Sequence, residues 1–154
     1  VQAYDGKTGW YIQPFQGDLS AHKMNEEQVK EMDDQKDAGG DLFEYAQKGN
    51  KVEFLGKDDM DGTEVFKLKL TKKDGDIDTY YFDSQTYMII KVASKVKVQD
   101  KEMDQETEFS NYKSVDGYTF AHSINSGMGE MKIEKIELNP AVDDKIFALP
   151  ANAK

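Results

Sequence analysis

Hydrophobic and polar residues alternate along most of the chain, and this alternation predicts β-strands. In the segment 63–71, Phe66, Leu68 and Leu70 share one parity, while Lys67 and Lys69 share the other. A strand with one apolar and one lysine-rich face belongs to a one-sided antiparallel sheet or a barrel wall. The sequence predicts about nine such strands, at about 1–5, 8–15, 51–57, 63–71, 77–83, 87–98, 105–113, 118–126 and 130–138.

Four Asp-Gly pairs mark turns between these predicted strands. They occur at positions 5–6, 61–62, 74–75 and 116–117. Asp-Gly is typical of tight hairpin turns because glycine adopts a positive φ without steric strain. From Lys51 onward the predicted strands follow one another with short connections only, so the sequence predicts an antiparallel meander.

The segment 18–49 lacks this alternation, and its pattern predicts helices. Asn25 is followed three residues later by Gln28, which resembles a capping box and predicts a helix at about 25–36. A second helix is predicted at about 41–48. We expect these short helices to cover the concave side of a curved sheet as a lid, with inward-pointing residues Val29, Met32, Leu42 and Tyr45.

The C-terminal part carries two further signals. The apolar parity changes between Ile133 and Ile136, which predicts a bulge or bend near Glu134. Pro140 precedes a short run that predicts a final turn of helix with the proline in its first position.

The composition excludes several classes of function. The net charge is −10 and all 20 basic residues are lysines, which argues against a nucleic-acid partner. The absence of cysteine excludes disulfides, a thiolate nucleophile and zinc–thiolate sites. The apolar runs are only a few residues long, as at 87–90, and a membrane span needs about 20 apolar residues. The chain begins in a strand-like run at Val1 without an initiator Met, so we expect a processed or truncated product.

Candidate catalytic and metal-binding residues give no consistent pattern. His122 has Ser123 and Asp116 nearby in sequence, but no Gly-x-Ser-x-Gly motif accompanies them, and His22 lies in a predicted loop. The acidic stretches around Gly62 and Gly75 do not have the spacing of a calcium-binding loop. We therefore expect no catalytic residues, no metal site and no cofactor, although a carboxylate pair for glycoside hydrolysis stays open among 30 acids.

The apolar parities of the predicted strands converge on one set of residues. An ordinary core and an apolar cavity under the helices explain them equally well at this point. If they line a cavity, the ligand-binding residues are Trp10, Ile12, Phe66, Leu68, Tyr80, Phe82, Met88 and Ile90. The lysines of opposite parity, Lys67, Lys69, Lys91 and Lys95, should then point to solvent.

Short motifs occur in a fixed order along nearly the whole chain. They are Tyr4-Asp5-Gly6-Lys7-Thr8-Gly9-Trp10 with Pro14-Phe15-Gln16-Gly17, then Lys48–Gly56, Asp61–Leu68, Thr79–Asp83 with Tyr87, Tyr112–Gly117, and Ile136–Pro140 with Phe147 and Pro150. Together these residues resemble the LolA-like family of outer-membrane lipoprotein-sorting proteins.

The resemblance implies a mainly β fold, an antiparallel open half-barrel with short helices on its concave side. It implies a non-enzymatic periplasmic carrier that shelters the acyl chains of a lipid or lipoprotein in an apolar cavity, in transit to the outer membrane and its receptor. Burying an acyl chain in such a cavity is favourable by about 0.8 kcal/mol for each methylene group removed from water. The signal segment for export would lie outside this chain.

The chain also departs from the family pattern. It lacks the N-terminal helix and strands that precede the Asp-Gly hairpin, so we interpret residues 1–154 as a single domain of this family that is truncated at its N-terminus. Missing strands would leave an open sheet edge near 1–5, which favours a homodimer. The alternative function is an interaction or sensor module that uses the curved sheet or its edge without a lipid cargo.

Overall fold

The computed structural model describes residues 1–14, 17–35, 39–98, 101–127, 129–150 and 153. The chain is mainly β, with two antiparallel sheets of three and seven strands. It divides into two compact units, residues 1–40 with 140–154 and residues 41–139. The prediction of a mainly β, antiparallel, open and curved architecture is confirmed, and the described residues form ten strands instead of about nine.

The smaller unit contains a three-stranded sheet, one helix and a short C-terminal turn. Its strands β1 (Gln2–Tyr4), β2 (Gly9–Gln13) and β3 (Asp18–Lys23) pair in sequence order. Helix α1 spans Glu26–Gln35, and a 3-10 turn spans Asp144–Phe147.

The core of the smaller unit is built around Trp10. Its side chain is buried together with Ala21 and Met24, and its indole Nε1 donates a hydrogen bond to the Phe147 carbonyl oxygen at 3.1 Å. Gly9 is required here, because a Cβ at this position would lie 2.4 Å from the sulfur of Met24. Trp10 therefore joins the three-stranded sheet to the C-terminal 3-10 turn of the same unit.

Helix α1 begins as the capping pattern predicts. The Gln28 amide donates to Asn25 Oδ1 at 2.9 Å, and the Asn25 amide donates to Gln28 Oε1 at 3.0 Å. This reciprocal pair satisfies two backbone donors that the first turn would otherwise leave unpaired. Tyr4 Oη donates to Asp33 Oδ1, which ties the helix to β1. In the described part of the chain, no helix has the length and apolarity to cross a membrane.

The larger unit is a seven-stranded meander. Its strands are β4 (Lys51–Met60), β5 (Thr63–Thr71), β6 (Ile77–Asp83), β7 (Ile89–Val98), β8 (Lys101–Val115), β9 (Tyr118–Ser126) and β10 (Gly129–Lys132), each paired antiparallel with the next.

Two of the predicted Asp-Gly turns form two-residue hairpins in this sheet. Asp61-Gly62 connects β4 to β5, and Asp116-Gly117 connects β8 to β9. All four residues have a positive φ, which matches the right-handed twist of the flanking strands.

Several predicted elements are wrong. Residues 18–23 form β3 and not part of a helical segment; the pattern hides this strand because Ala21 is its only buried residue. Residues 41–49 form a series of turns and not a helix. Glu44 has a φ of 52°, which a right-handed helix does not accommodate. Buried Asn50 fixes this segment, because its side-chain Nδ2 donates to the Asp41 carbonyl and its Oδ1 accepts from the Lys73 amide.

The C-terminal predictions also need correction. β10 ends at Lys132, so the change of parity between Ile133 and Ile136 reflects the end of the strand and not a bulge near Glu134. The final helical turn begins at Asp144, where Asp143 accepts a hydrogen bond from the Lys145 amide as its cap. Pro140 therefore precedes the turn by several residues.

Candidate functional site

The hydrogen-bonding register assigns the side chains of the seven-stranded sheet to two faces. Directly paired residues share a face, and neighbours along a strand point to opposite faces. One ladder runs Phe54–Leu68–Tyr80–Val92 across β4 to β7, and a neighbouring rung pairs Phe66 with Phe82. We call this side, together with Val52 and Leu70, the apolar face.

The opposite side of the sheet is polar. One ladder runs Lys67–Tyr81–Lys91–Glu108–Asn125–Glu130 across β5 to β10. We call this side, together with Lys69, Ser110 and Ser123, the polar face. The sequence alternation predicted both faces of β5, because the same parity rule applies on each strand.

An exposed aromatic cluster lies on the apolar face. The ring of Phe66 is 6.1 Å from the rings of both Phe54 and Tyr87, measured between centroids, and it is nearly parallel to Tyr87. Phe54 is 60% exposed and Tyr87 is 68% exposed. Exposed aromatic residues in mutual contact are a sign of a binding surface, whereas single exposed apolar residues are ordinary. We call Phe54, Phe66 and Tyr87 the aromatic cluster.

The other end of the apolar face is closed by charged groups. Asp78 is buried, and Lys72 Nζ lies 3.0 Å from its carboxylate and 3.2 Å from that of Asp41. Burial alone would lower the pKa of Lys72, but the two carboxylates outweigh it and raise that pKa above its usual value. Burial, reinforced by the charges of Asp78 and Asp41, raises the pKa of the nearby Tyr80 hydroxyl to about 12.

A cavity of about 510 Å³ opens on the polar face. It is lined by Met60, Asp61, Ile90, Glu108, Phe109, Ser110, Ser123, Asn125 and Glu130. Met60 belongs to one edge strand of the sheet and Glu130 to the other. In a flat sheet these edges would be roughly 29 Å apart, at about 4.8 Å per strand. The sheet is therefore strongly curved, and at this end the polar face is on the inside.

Four of the polar side chains of this cavity are paired with one another. Ser123 Oγ donates to Glu130 Oε1 at 2.6 Å, and Asn125 Nδ2 donates to Glu108 Oε2 at 3.2 Å. The hydrogen bond from Ser123 lowers the pKa of the Glu130 carboxyl. His122 is the neighbour of Ser123 on the same strand, so its ring points to the opposite face, where Nδ1 lies 3.1 Å from the Phe120 carbonyl.

The structure brings together some of the predicted ligand-binding residues. Phe66, Leu68, Tyr80 and Phe82 are adjacent on the apolar face, and all four are half-buried. Ile90 instead lines the cavity on the polar side. A register shift in β7 pairs Phe82 with Ile89, and the Asp83 amide donates to the Met88 carbonyl, so the predicted alternation from Met88 to Val92 is interrupted.

The remaining predicted residues are distributed over both units. Trp10 and Ile12 lie on β2, and Val29 and Met32 lie on α1, all in the smaller unit. Leu42 and Tyr45 lie in the turn segment of the larger unit. Asp41, at the start of this segment, forms an ion pair with Lys72.

The lysines predicted to point to solvent differ in their environment. Lys95 is exposed, whereas Lys67 and Lys69 are half-buried. The Lys91 side chain is only 16% exposed, because it forms an ion pair with Glu106 and lies over the ring of Tyr81. The prediction of a solvated lysine is wrong for Lys91, because these two contacts cover its side chain.

Sequence reasoning missed Phe54 and Tyr87. Phe54 has the alternation of its strand as a signal, but a register shift after it shortens the readable pattern. Tyr87 lies in a turn with a φ of 59°, where no strand alternation applies. In the part of the chain that the structure describes, no group of three or more His, Asp or Glu side chains could hold a metal ion.

Comparisons with known proteins support the fold. No protein-family model matches the sequence, and no curated protein matches it. The structure is similar to a crystal structure from Vibrio parahaemolyticus described as an outer membrane lipoprotein-sorting protein domain, with a TM-score of 0.54 and 17% sequence identity. The similarity covers 91% of this chain and 63% of that chain. This chain therefore has the fold of a lipoprotein-sorting protein domain, the architecture that its motifs resemble.

Proposed function

We propose that this protein is a non-enzymatic periplasmic carrier that binds the acyl chains of a lipid or lipoprotein for transport to the outer membrane. The observation that carries the proposal is the exposed aromatic cluster on the apolar face of a lipoprotein-sorting fold. An acyl chain needs an apolar surface and no reacting group, since each methylene removed from water contributes about 0.8 kcal/mol.

The binding surface that we propose is the apolar face from the aromatic cluster to Leu68. Phe54 and Tyr87 are its most exposed members, and Leu68 pairs directly with Phe54 across the strands. The acyl chain would lie along this open face rather than in the cavity, because the cavity contains the carboxylates of Asp61, Glu108 and Glu130. Moving these charged groups out of water against a hydrocarbon chain is unfavourable. The charged groups beside the aromatic cluster, Lys57 and Glu64, form an ion pair with each other, and both side chains are more than half exposed.

Dye or fatty-acid uptake by two matched variants tests this choice of face. We expect Leu68→Asp to abolish the uptake of a fluorescent fatty acid, because it places a charge in the apolar ladder. Ser110→Asp, which adds a charge to the cavity on the other face, should leave the uptake unchanged. Circular dichroism establishes that both variants are folded. The proposed surface is wrong if Ser110→Asp abolishes uptake and folded Leu68→Asp does not.

Native mass spectrometry tests the carrier role itself. The full protein, exported to the periplasm of a Gram-negative host and purified without detergent, should retain acylated cargo that adds mass to the polypeptide. A bare polypeptide that also fails to take up the fluorescent fatty acid would contradict the carrier function. Such a result would favour an interaction module that uses the sheet without lipid.

A further inference from the structure

Strand β4 forms one edge of the seven-stranded sheet and has an unusual centre. In the described residues it pairs with β5 alone. Phe54 and Leu55 at its centre are 60% and 45% exposed. Natural edge strands are normally short or carry charges that discourage further pairing. The opposite edge, β10, is only four residues long. β4 is ten residues long, and its charged residues Lys51, Glu53, Lys57, Asp58 and Asp59 lie on both sides of an uncharged centre at 54–56.

The edge of β4 is continuous with the proposed acyl-binding surface. The ring of Phe54 contacts that of Phe66 in the aromatic cluster, and Phe54 belongs to the edge strand itself. An acyl chain held by the cluster would therefore leave the polypeptide to which it is attached beside the backbone of β4. At about 3.3 Å per residue, four residues of that polypeptide would span roughly 13 Å of the edge.

We propose that β4 binds an extended peptide segment of the acylated cargo as an additional antiparallel or parallel strand. This inference rests on the proposed carrier function and names a second part of the ligand, the peptide to which the acyl chain is attached. Backbone hydrogen bonds would supply affinity without demanding a particular sequence, and an apolar side chain of the peptide would pack on Phe54. The register shift between Phe54 and Gly56, where Gly56 has a φ of 104°, divides the edge of β4 into a 51–54 half and a 56–60 half, so that a peptide pairs continuously with one half at a time.

Two synthetic ligands that differ only in their backbone donors test the proposal. One is a short palmitoylated peptide, and the other is the same peptide with alternate amides N-methylated. We expect the unmodified peptide to bind the full protein about tenfold more tightly, since a few net hydrogen bonds are lost in the methylated one. Palmitic acid alone should bind like the methylated ligand.

Hydrogen exchange then locates the contact. The unmodified peptide should slow the exchange of amides within 51–60 and leave those of β10, the other edge, unchanged. Leu55→Lys should reduce the affinity for this peptide but not for palmitic acid, whereas the matched variant Met131→Lys on β10 should change neither.

The outcomes separate this inference from the carrier function. Equal affinities of the two peptides, with unchanged exchange in 51–60 and intact binding of palmitic acid, would overturn the inference and leave the carrier function standing. Loss of all three ligands would overturn both. Slower exchange in 51–60 that depends on protein concentration and not on peptide would mean that a second copy occupies the edge, which also overturns the inference.

Discussion

Each face of the seven-stranded sheet combines covered and exposed residues, and the two faces expose different kinds of side chain. On the apolar face, Phe54 and Tyr87 are mostly exposed. On the polar face, the Lys91 side chain is mostly covered, and Val65 on the same side is fully buried. The polar-face residues of the cavity, Glu108, Ser110, Asn125 and Glu130, are exposed, and the curvature of the sheet brings both edge strands to this cavity. Alternation thus determines which residues share a face, and the position within the sheet determines how far each residue is covered.

The largest effects should come from the fully buried residue on each face. Leu70 on the apolar face and Val65 on the polar face are both inaccessible to solvent. We expect Leu70→Ala to lower the free energy of unfolding by about 3 kcal/mol and Val65→Ala by about 2 kcal/mol, because the latter removes fewer carbon atoms. Urea unfolding measures both.

Phe54→Ala is the control for this pair of substitutions. Its side chain is mostly exposed, so we expect a loss of less than about 1 kcal/mol despite the larger residue. A Val65→Ala variant as stable as the original protein would show that the polar face is loosely packed around Val65. The two faces would then differ in packing, contrary to this account.

The next effect concerns the ion pair at the closed end of the apolar face. Asp78 is buried, whereas the Lys72 side chain is 30% exposed. We expect Asp78→Ala to lower the free energy of unfolding by about 1–2 kcal/mol, less than for a fully buried pair, since solvent screens Lys72. A double-mutant cycle with Lys72→Met isolates the coupling between the two side chains, and a coupling near zero would contradict the role of this pair.

Alkaline pH should lower the stability of the protein through two groups on the apolar face. Lys72 has a raised pKa in the folded protein, and the pKa of Tyr80 is raised from 10.0 to about 12. For both groups the folded state holds its proton more tightly than the unfolded state. The contribution of Tyr80 is present below pH 10 and is lost as the pH rises towards 12, and that of Lys72 begins to fall above its ordinary pKa and is lost only at still higher pH. Unfolding measured between these pH values should show a falling stability. Tyr80→Phe should make the fall less steep, and an unchanged slope in that variant would refute the assignment.

How much of this could be predicted from the sequence depends on the range of the interaction. The bounds of β5, β6 and β9 follow from alternation between Asp-Gly turns, which are local signals. The turn segment 41–49 depends on Asn50 and Lys72, which act from outside it, so local propensity misleads there. The aromatic cluster depends on the pairing of β4 with β5 and on a turn residue, neither of which a single strand pattern contains.

The smallest effects should come from ion pairs on the two faces. Lys57 and Glu64 form a pair on the apolar side at 2.8 Å, and both side chains are more than half exposed. Each lysine also lies over an aromatic ring, Lys57 over Phe66 and Lys91 over Tyr81. We expect Lys57→Met to change the free energy of unfolding by less than about 0.5 kcal/mol, and Lys91→Met to lower it by about 1 kcal/mol, because only the Lys91 side chain is mostly covered. Thermal unfolding at two salt concentrations distinguishes them. Equal effects would mean that solvent screens the two ion pairs to the same extent.

The most direct test of the central claim is to locate a bound acyl chain on one of the two faces. A spin-labelled fatty acid added to the isotope-labelled protein broadens the NMR signals of residues near the label. We expect broadening at Phe54, Phe66, Leu68 and Tyr87, with the signals of Ser110, Ser123 and Asn125 unaffected. Broadening confined to the three cavity residues would show that the ligand enters the polar side, and would contradict the proposal that the exposed aromatic cluster is the acyl-binding surface.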